Sequence, residues 1–179
     1  MTTRTITELT ALLLAALLLA ACSPPADDPP AAAPQTAVES GNGMDGDTPA
    51  IDETMVVYMT PWCGCCKVWA DQSVAAGFEV EIREVEALHP IKEELGVPVA
   101  MGSCHTAKIA DYFIEGHVPF DDIRRLLAER PDARGLTVPG MPLGSPGMEQ
   151  GERRQAFDVY LVDNQGNTSV FNHYPAIGL

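Results

Sequence analysis

The sequence predicts an α/β domain, residues 55–179, that follows an export segment and a polar tether. Residues 55–59 form a continuous apolar run, which is typical of a strand buried on both faces. Residues 78–83 alternate apolar and charged side chains, the period of a strand with one face in the core. The stretch between them predicts a helix that stops at Gly77. A strand–helix–strand unit of this kind places its two strands in parallel, so the fold class is α/β.

Residues 1–21 are interpreted as a signal peptide of the lipoprotein type. Arg4 precedes an apolar run over residues 11–21 that is too short to span a bilayer comfortably, and prolines follow soon after it. Leu19-Ala20-Ala21-Cys22 resembles the lipoprotein box of bacteria, which implies cleavage before Cys22 and lipidation of its thiol. An ordinary secretory signal is the alternative. We expect a periplasmic protein that is anchored to a bacterial membrane through a lipid on Cys22 and has no spanning helix.

Residues 22–54 predict a disordered tether. They contain six prolines among small and acidic residues and almost no large apolar side chain. Burial therefore cannot offset the entropy of ordering this segment. The remaining residues, 55–179, have the size of one domain with one core.

The charge balance of the chain is strongly acidic. It has 11 Lys and Arg against 25 Asp and Glu, a formal net charge of −14. This sign disfavours nucleic acid and an electrostatic membrane patch as partners, so we expect membrane contact only through the lipid anchor. Hydrolase and kinase functions also have no basis, because the sequence has no Ser-His-Asp arrangement, phosphate loop or paired-carboxylate signature.

Later elements complete the predicted domain. The pattern predicts a short helix over residues 89–96, a strand over 109–114, an amphipathic helix over 120–130, and a hairpin of strands 157–162 and 168–174. Residues 134–151, before the hairpin, are rich in Gly, Pro and Met. A loop of this length in a compact domain is typical of a functional or mobile segment.

Three of the five cysteines lie in the segment Pro61-Trp62-Cys63-Gly64-Cys65-Cys66-Lys67. The segment opens the first helix, where unpaired backbone N–H groups and the helix dipole stabilise thiolates. Cys63 and Cys66 form a Cys-x-x-Cys pair, and a bridge between them is the expected oxidised form. The flanks resemble the Trp-Cys-Gly-Pro-Cys-Lys signature of thioredoxins, with Cys65 in the place of the proline. This resemblance implies a thioredoxin-like fold, here with an inserted segment and a C-terminal β-hairpin.

A second group of metal-ligating residues comes later in the chain. Cys104 and His105 are far enough from Cys66 for the fold to bring them back to the cysteine segment. Together with the clustered cysteines they would form Cys₃His or Cys₄ sets, which suit tetrahedral zinc. Clustered thiolates with nearby thioethers favour Cu(I) instead. A third adjacent thiol would compete in a dithiol enzyme but is useful in a metal site, which favours metal binding.

Methionine and histidine side chains extend this ligand prediction. Met141 and Met148 in the long loop are candidate thioether ligands, together with Met59 and Met101. A methionine taken alone more often fills a core or a loop. His117 is interpreted either as a further ligand or as a cap for the helix that follows it.

The segment Thr137-Val138-Pro139 resembles the cis-proline segment of thioredoxin-like folds, which faces the Cys-x-x-Cys turn. Val97-Pro98 is the competing segment. Pro139 is favoured as the cis proline because the C-terminal hairpin follows it.

Four blocks of sequence, in this order, resemble the CopG-like family of bacterial metal-binding proteins. They are Trp62-Cys63-Gly64-Cys65-Cys66-Lys67, Ser103-Cys104-His105-Thr106-Ala107, Glu115-Gly116-His117-Val118-Pro119, and Val138-Pro139-Gly140-Met141-Pro142 continuing through Glu149. The resemblance implies a thioredoxin-like fold, a periplasmic location and a role in copper resistance. It also implies that the thiolates of Cys63, Cys65, Cys66 and Cys104 are the copper ligands.

These observations lead to three functional hypotheses. The first is an exported protein that holds Cu(I) on a thiolate cluster and acts in copper resistance or homeostasis, with redox cycling of copper or thiols as a further activity. Its expected partners are copper ions and other periplasmic copper-handling proteins. The second is a thiol-disulfide oxidoreductase in which Cys63 attacks and Cys66 resolves, so that these two residues would be catalytic. The third is a structural zinc-binding interaction domain.

Overall fold

The computed structural model describes residues 53–178. The signal-peptide prediction for residues 1–21, the lipidation of Cys22 and almost all of the tether predicted for residues 22–54 fall outside the described residues. Within the described range, no helix has both the length and the apolar character needed to cross a bilayer.

Strands and helices alternate along the first part of the domain, and a hairpin ends it. The strands are β1 Met55–Met59, β2 Val80–Glu84, β3 Thr106–Ile109, β4 Tyr112–Glu115, β5 Ala133–Thr137, β6 Phe157–Asp163 and β7 Thr168–Tyr174. The helices are α1 Gly64–Ala75, α2 His89–Leu95 and α3 Phe120–Glu129, with a short 3-10 helix at Val99–Met101.

The seven strands form one mixed sheet in the order β2-β1-β3-β4-β5-β6-β7. β1 and β2 are parallel across α1, and β4 and β5 are parallel across α3. The other neighbouring pairs, including the C-terminal hairpin of β6 and β7, are antiparallel. The predicted α/β class, the opening strand–helix–strand unit and the hairpin are therefore confirmed. The thioredoxin-like assignment stays a prediction.

One apolar core joins the sheet to α1 and α3. It takes buried side chains from both helices and from most strands, including Met55, Val57, Trp69, Ile109, Ile114, Ile123, Leu126, Leu136 and Val159. Trp69 of α1 is fully buried, and its indole N–H donates to the carbonyl oxygen of Val118 at 3.1 Å. A buried indole needs such a partner for its N–H. This bond ties α1 to the segment between β4 and α3.

The helix predictions agree with the structure to within a residue or two. α1 ends at Ala75 and is followed by Gly77 with a φ of 91°, as expected for a glycine stop. α2 ends in a left-handed Gly96. α3 buries Ile123 and Leu126 along one face, as its amphipathic pattern predicts.

The predicted single strand over residues 109–114 is wrong. This stretch is the turn between two antiparallel strands, β3 and β4, with Ala107 opposite Ile114. The chain reverses at Ala110 and Asp111, and Ala110 has a φ of 50°. The hairpin sets Thr106 directly opposite Glu115, next to the later residues of the candidate site.

Two further expectations need correction. β5, Ala133–Thr137, takes up the first part of residues 134–151, which were predicted as loop, and it lies inside the sheet between β4 and β6. The expectation that residues 78–83 bury one face is also wrong, because Ile82 is 46% exposed. β2 is an edge strand with a partner on one side only, so its outer residues remain in solvent.

Pro139 is not a cis proline, since every peptide bond among the described residues is trans. The expectation taken from thioredoxin-like folds is therefore wrong for this segment and for its competitor. Backbone hydrogen bonds hold the chain on both sides of Pro139. The N–H of Val138 donates to the carbonyl of Glu115 at 3.0 Å, and that of Gly140 donates to the carbonyl of Gly102 at 3.2 Å. The trans chain thus runs beside the end of β4 and beside the segment that leads to Cys104.

Candidate metal centre

The cysteine turn connects β1 to α1. Cys63 is the residue that precedes the first helical turn, with extended backbone, and its carbonyl accepts the N–H of Lys67 at 3.3 Å. Cys65 and Cys66 lie in that first turn, so all three sulfurs are held near the N-terminal end of α1. Cys63 and Cys66 are joined by a disulfide with Cα atoms 5.4 Å apart, and Cys65 is free. The bridge expected for the oxidised form is present.

Cys104 brings a fourth sulfur from a distant part of the chain. It lies between the 3-10 helix and β3, and its Sγ is 4.0 Å from Sγ of Cys65. Cys65 Sγ is in turn 3.6 Å from Cys63 Sγ. All four sulfurs lie within 4.8 Å of one another. The expected return of Cys104 to the cysteine turn is therefore observed, while its role as a metal ligand stays a prediction.

Two imidazoles lie on the other side of Cys104. The Cys104 Sγ is 3.0 Å from Nε2 of His117 and 3.4 Å from Nδ1 of His105. Ligand atoms of these three residues form a second cluster within 4.8 Å, so Cys104 belongs to both groups. The residue before α3 is Pro119, and no side chain caps that helix. The capping role considered for His117 is therefore wrong.

A backbone carbonyl fixes the tautomer of His117. Nδ1 of His117 lies 2.8 Å from the carbonyl oxygen of Pro146, which can only accept a hydrogen bond. Nδ1 therefore carries the proton, and Nε2 presents its lone pair to Cys104. This arrangement, in which the far nitrogen is held by a carbonyl, is how proteins orient metal-binding histidines.

Burial sets the protonation states of Cys104, His105 and His117, which form one half of the site; the cysteine turn forms the other. Burial, with a smaller contribution from the charge of Cys65, raises the pKa of the Cys104 thiol to about 12. Burial also lowers the pKa of His117 and, more strongly, that of His105, which is fully buried. Without a metal, Cys104 is therefore a neutral thiol beside neutral imidazoles. A bound soft cation would displace the thiol proton, since metal binding requires the thiolate.

The loop after β5 lies against the cysteine turn. Gly147 has a φ of 82°, and a Cβ on it would come within 2.9 Å of the Cys65 carbonyl oxygen and 3.1 Å of the Trp69 amide nitrogen. Glu149 accepts a hydrogen bond from Gln72 of α1 at 3.1 Å. Because the loop also supplies the carbonyl that holds His117, it connects the two halves of the site.

The methionines differ in their relation to the cluster. Met141 is 53% exposed, and Met148 is half-buried with its N–H bonded to the Ser145 carbonyl. Met59 is fully buried in a small apolar cluster with Cys66 and Ala70, against which the other site cysteines pack. Met59 is therefore the methionine that the structure packs against the sulfurs.

Sequence reasoning missed three groups that shape the site. They are the buried carboxylate of Glu115, the ammonium of Lys92 that pairs with it, and the carbonyl of Pro146. A glutamate directly at the end of the apolar run of β4 was the available signal for the first of these. The two remaining histidines, His89 and His173, belong to neither cluster; His173 pairs with Asp158 on the C-terminal hairpin.

Two solved structures resemble this chain over nearly their whole length. They are named Copper resistance protein copG, Form 1 and Form 2. The first is 46% identical, with a TM-score of 0.66, and the match covers 68% of this chain and 97% of that chain. The second is 48% identical, with a TM-score of 0.64, and the match covers 69% of this chain and 98% of that chain.

The chain belongs to the CopG family of copper resistance proteins. The family resemblance inferred from the four sequence blocks is therefore confirmed. A family model described as "Protein of unknown function, DUF411" matches residues 101–148, the part that carries Cys104, both site histidines and the loop. No curated protein gives a significant match. Membership of the CopG family and the cysteine and histidine clusters together indicate a copper-related, metal-binding function.

Proposed function

We propose that this protein binds Cu(I) on the thiolates of Cys63, Cys65, Cys66 and Cys104 and acts in copper resistance outside the cytoplasm. One observation carries the proposal: four sulfurs from two distant segments lie within 4.8 Å of one another. Thiolates are the ligands that Cu(I) prefers, and sulfurs this close can bridge more than one ion. Membership of the CopG family supports copper as the cargo.

The donor set fits a soft cation better than a hard one. It contains sulfur and imidazole nitrogen but no carboxylate. The cysteines pack against the buried apolar side chains of Met59 and Ala70. The Nε2 lone pair of His117 adds a nitrogen donor beside Cys104. Burial raises the pKa of the Cys104 thiol to about 12, so this sulfur stays protonated until a metal displaces the proton.

The disulfide determines when the full set of ligands is available. With Cys63 and Cys66 bonded, only Cys65 and Cys104 are free thiols among the described cysteines. Reduction of the bridge takes two electrons and two protons and yields two further thiols, each of which can bind Cu(I) as a thiolate and release its proton to water. Copper capacity is thereby coupled to the thiol oxidation state.

The proposed location rests on the lipoprotein box that ends at Cys22. Cleavage before Cys22 and lipidation would place the domain in the periplasm on a tether of residues 22–54. Fractionation of cells that express the full chain, with mass spectrometry of the mature N-terminus, tests this. A lipid-bearing Cys22 in the membrane fraction supports it, and an intact residue 1–21 segment in the cytosol contradicts it.

The function is tested by loading the anaerobically reduced protein with Cu(I) and measuring metal and protein by elemental analysis. We expect more than one copper per chain, and loss of this binding in Cys65→Ser and Cys104→Ser. Cys22→Ser is the matched control, because it changes a cysteine outside the domain and should leave copper binding unchanged. Retention of copper by Cys104→Ser, or a preference for one zinc over copper, would contradict the proposal.

A thiol-disulfide oxidoreductase is the second candidate function. It is favoured by the Cys63–Cys66 bridge at the start of a helix and by the adjacent Trp62, which is 69% exposed. The metal-free protein would then reduce or exchange disulfides. Activity that requires Cys63 and Cys66 but is indifferent to Cys65→Ser and Cys104→Ser supports this function over copper binding.

A further inference from the structure

We propose that Glu115 is the positioning residue of the copper site: its buried carboxylate holds the backbone and side chain on either side of Cys104 and His105. The inference rests on the proposed function, since it explains how the distant sulfur is held at the cysteine turn. The hydrogen-bond partners of the Glu115 carboxylate are Lys92, Ser103 and Thr106, and none of them is a sulfur. Glu115 acts through the segment that carries Cys104.

The carboxylate has bonding partners on both sides of this segment. Oε1 of Glu115 accepts the backbone N–H of Ser103 at 2.5 Å. Oε2 accepts the hydroxyl of Thr106 at 2.6 Å. Ser103 and Thr106 flank the pair Cys104-His105 in sequence, so one side chain fixes the segment at both ends. The two-residue stretch between them is left with little freedom to move.

Lys92 completes this network from α2. Its ammonium donates to Oε1 of Glu115 and, at 2.9 Å, to the hydroxyl of Thr106. Glu115 is fully buried and the Lys92 side chain is 16% exposed. A buried carboxylate is costly without an opposite charge and hydrogen-bond donors. The network is therefore complete: each carboxylate oxygen has a donor, and the charge has a partner.

Both distant donors of the copper site depend on the same strand end. Glu115 is the last residue of β4, and His117 follows it after Gly116. The N–H of Gly116 donates to the His105 carbonyl at 3.0 Å. The carboxylate thus connects the strand end that precedes His117 to the segment that carries Cys104. It thereby helps to keep Nε2 of His117 and Sγ of Cys104 at their distance of 3.0 Å.

A pair of double variants isolates the hydrogen-bond acceptor. Lys92→Met with Glu115→Gln keeps an oxygen for the Ser103 N–H and removes the buried charges. Lys92→Met with Glu115→Leu has nearly the same volume and also lacks both charges, but it has no acceptor. All proteins carry Cys22→Ser in the full chain, and circular dichroism with thermal unfolding confirms that they fold.

The first readout needs no copper. In the metal-free protein with the Cys63–Cys66 bond intact, phenylarsine oxide should bridge Cys65 and Cys104, whose sulfurs are 4.0 Å apart: two As–S bonds form and one water leaves. We expect the Gln variant to match the parent protein and the Leu variant to bind the arsenical about 10- to 100-fold more weakly, the usual cost of losing a group that orients a ligand. The second readout is Cu(I) affinity and the thiolate-to-copper absorption of the reduced proteins, which should follow the same order.

The outcomes separate this proposal from the proposed function. Arsenical binding within about twofold in both variants, or equal loss in both, overturns the role of Glu115. If the Leu variant does not fold, Thr106→Val decides: it removes one of the two anchors, and an unchanged arsenical affinity overturns the role. Should the parent protein bind no copper while the arsenical still separates Gln from Leu, Glu115 retains its role and the copper function fails.

Discussion

The two halves of the candidate site are built in different ways. The half with Cys63, Cys65 and Cys66 is a single strand-to-helix turn, and residues adjacent in sequence place its three sulfurs near one another. The half with Cys104 and His117 is assembled from separate segments that meet through side-chain and carbonyl hydrogen bonds. A local turn tolerates change elsewhere in the fold. The assembled half depends on every group that joins its segments. Mutations of those groups should therefore disturb this half more than the cysteine turn.

Gly147→Ala should have the largest effect, because Gly147 lies where the two halves meet. A left-handed alanine costs about 1–2 kcal/mol, and its Cβ would also press on the backbone of Cys65 and Trp69. We expect a loss of about 2–4 kcal/mol in the free energy of unfolding, measured with urea. Gly151→Ala is the control, since Gly151 has a φ of 64° and no neighbour within 4 Å of a Cβ. Equal losses in the two variants would show that the loop contact contributes nothing.

Removing the imidazole tests the assembled half directly. His117→Ala should weaken Cu(I) binding by at least about tenfold, because Cys104 loses the nitrogen that lies beside its sulfur. Competition with a chromophoric Cu(I) chelator measures this. His173→Ala, which removes an exposed histidine paired with Asp158, should leave the affinity unchanged. An unchanged affinity in His117→Ala would confine the copper site to the sulfurs.

The buried His105 of the assembled half predicts that the stability of the metal-free protein depends on pH. The unfolded His105 ring takes up a proton near pH 6.5, whereas burial lowers its pKa in the folded protein. Below that pH the unfolded state binds more protons, so the free energy of unfolding falls as the pH falls. The decline approaches about 1.4 kcal/mol per pH unit for one such group. Urea titrations of the metal-free protein from about pH 7 down to about pH 5, the range in which histidine titrates, should show this decline. His105→Phe should reduce the slope, and an unchanged slope would contradict this account.

The smallest effects are expected from the loop methionine. Met141→Leu should change Cu(I) affinity less than about twofold, because Met141 is largely exposed. Met59→Leu keeps the volume of a buried side chain but removes the thioether that packs beside the cysteines. A larger change of Cu(I) affinity in Met59→Leu than in Met141→Leu would identify Met59 as the thioether that acts on the copper site. The reverse order would restore Met141 as a ligand candidate.

The local half of the site could be predicted from the sequence, because its three cysteines lie within four consecutive residues. The assembled half could be read only in part. The return of Cys104 followed from its residue type and its distance along the chain, but the carbonyl that fixes His117 belongs to Pro146 and has no sequence signature of its own. Glu115 was missed as an anchor for the same reason, since its partners are a backbone N–H, a hydroxyl and a lysine from three other segments.

Errors in the predicted fold have equally specific causes. The β3–β4 turn was missed because Ala110 takes a positive φ where glycine or asparagine would have signalled a hairpin. β5 was missed because Leu136 is its only large apolar residue and Gly135 weakens the strand pattern. Both elements are stabilised by their neighbours in the sheet, which the local sequence does not encode.

The exposed margin of the sheet has a consequence for association between molecules. Along β2 the outward side chains are mostly charged, and Arg83 forms an ion pair with Glu81 and contacts Tyr58 of the next strand. A strand from another molecule that paired with β2 would have to desolvate these charged groups, which is unfavourable. The margin of the sheet next to β1 therefore disfavours strand addition from a second molecule.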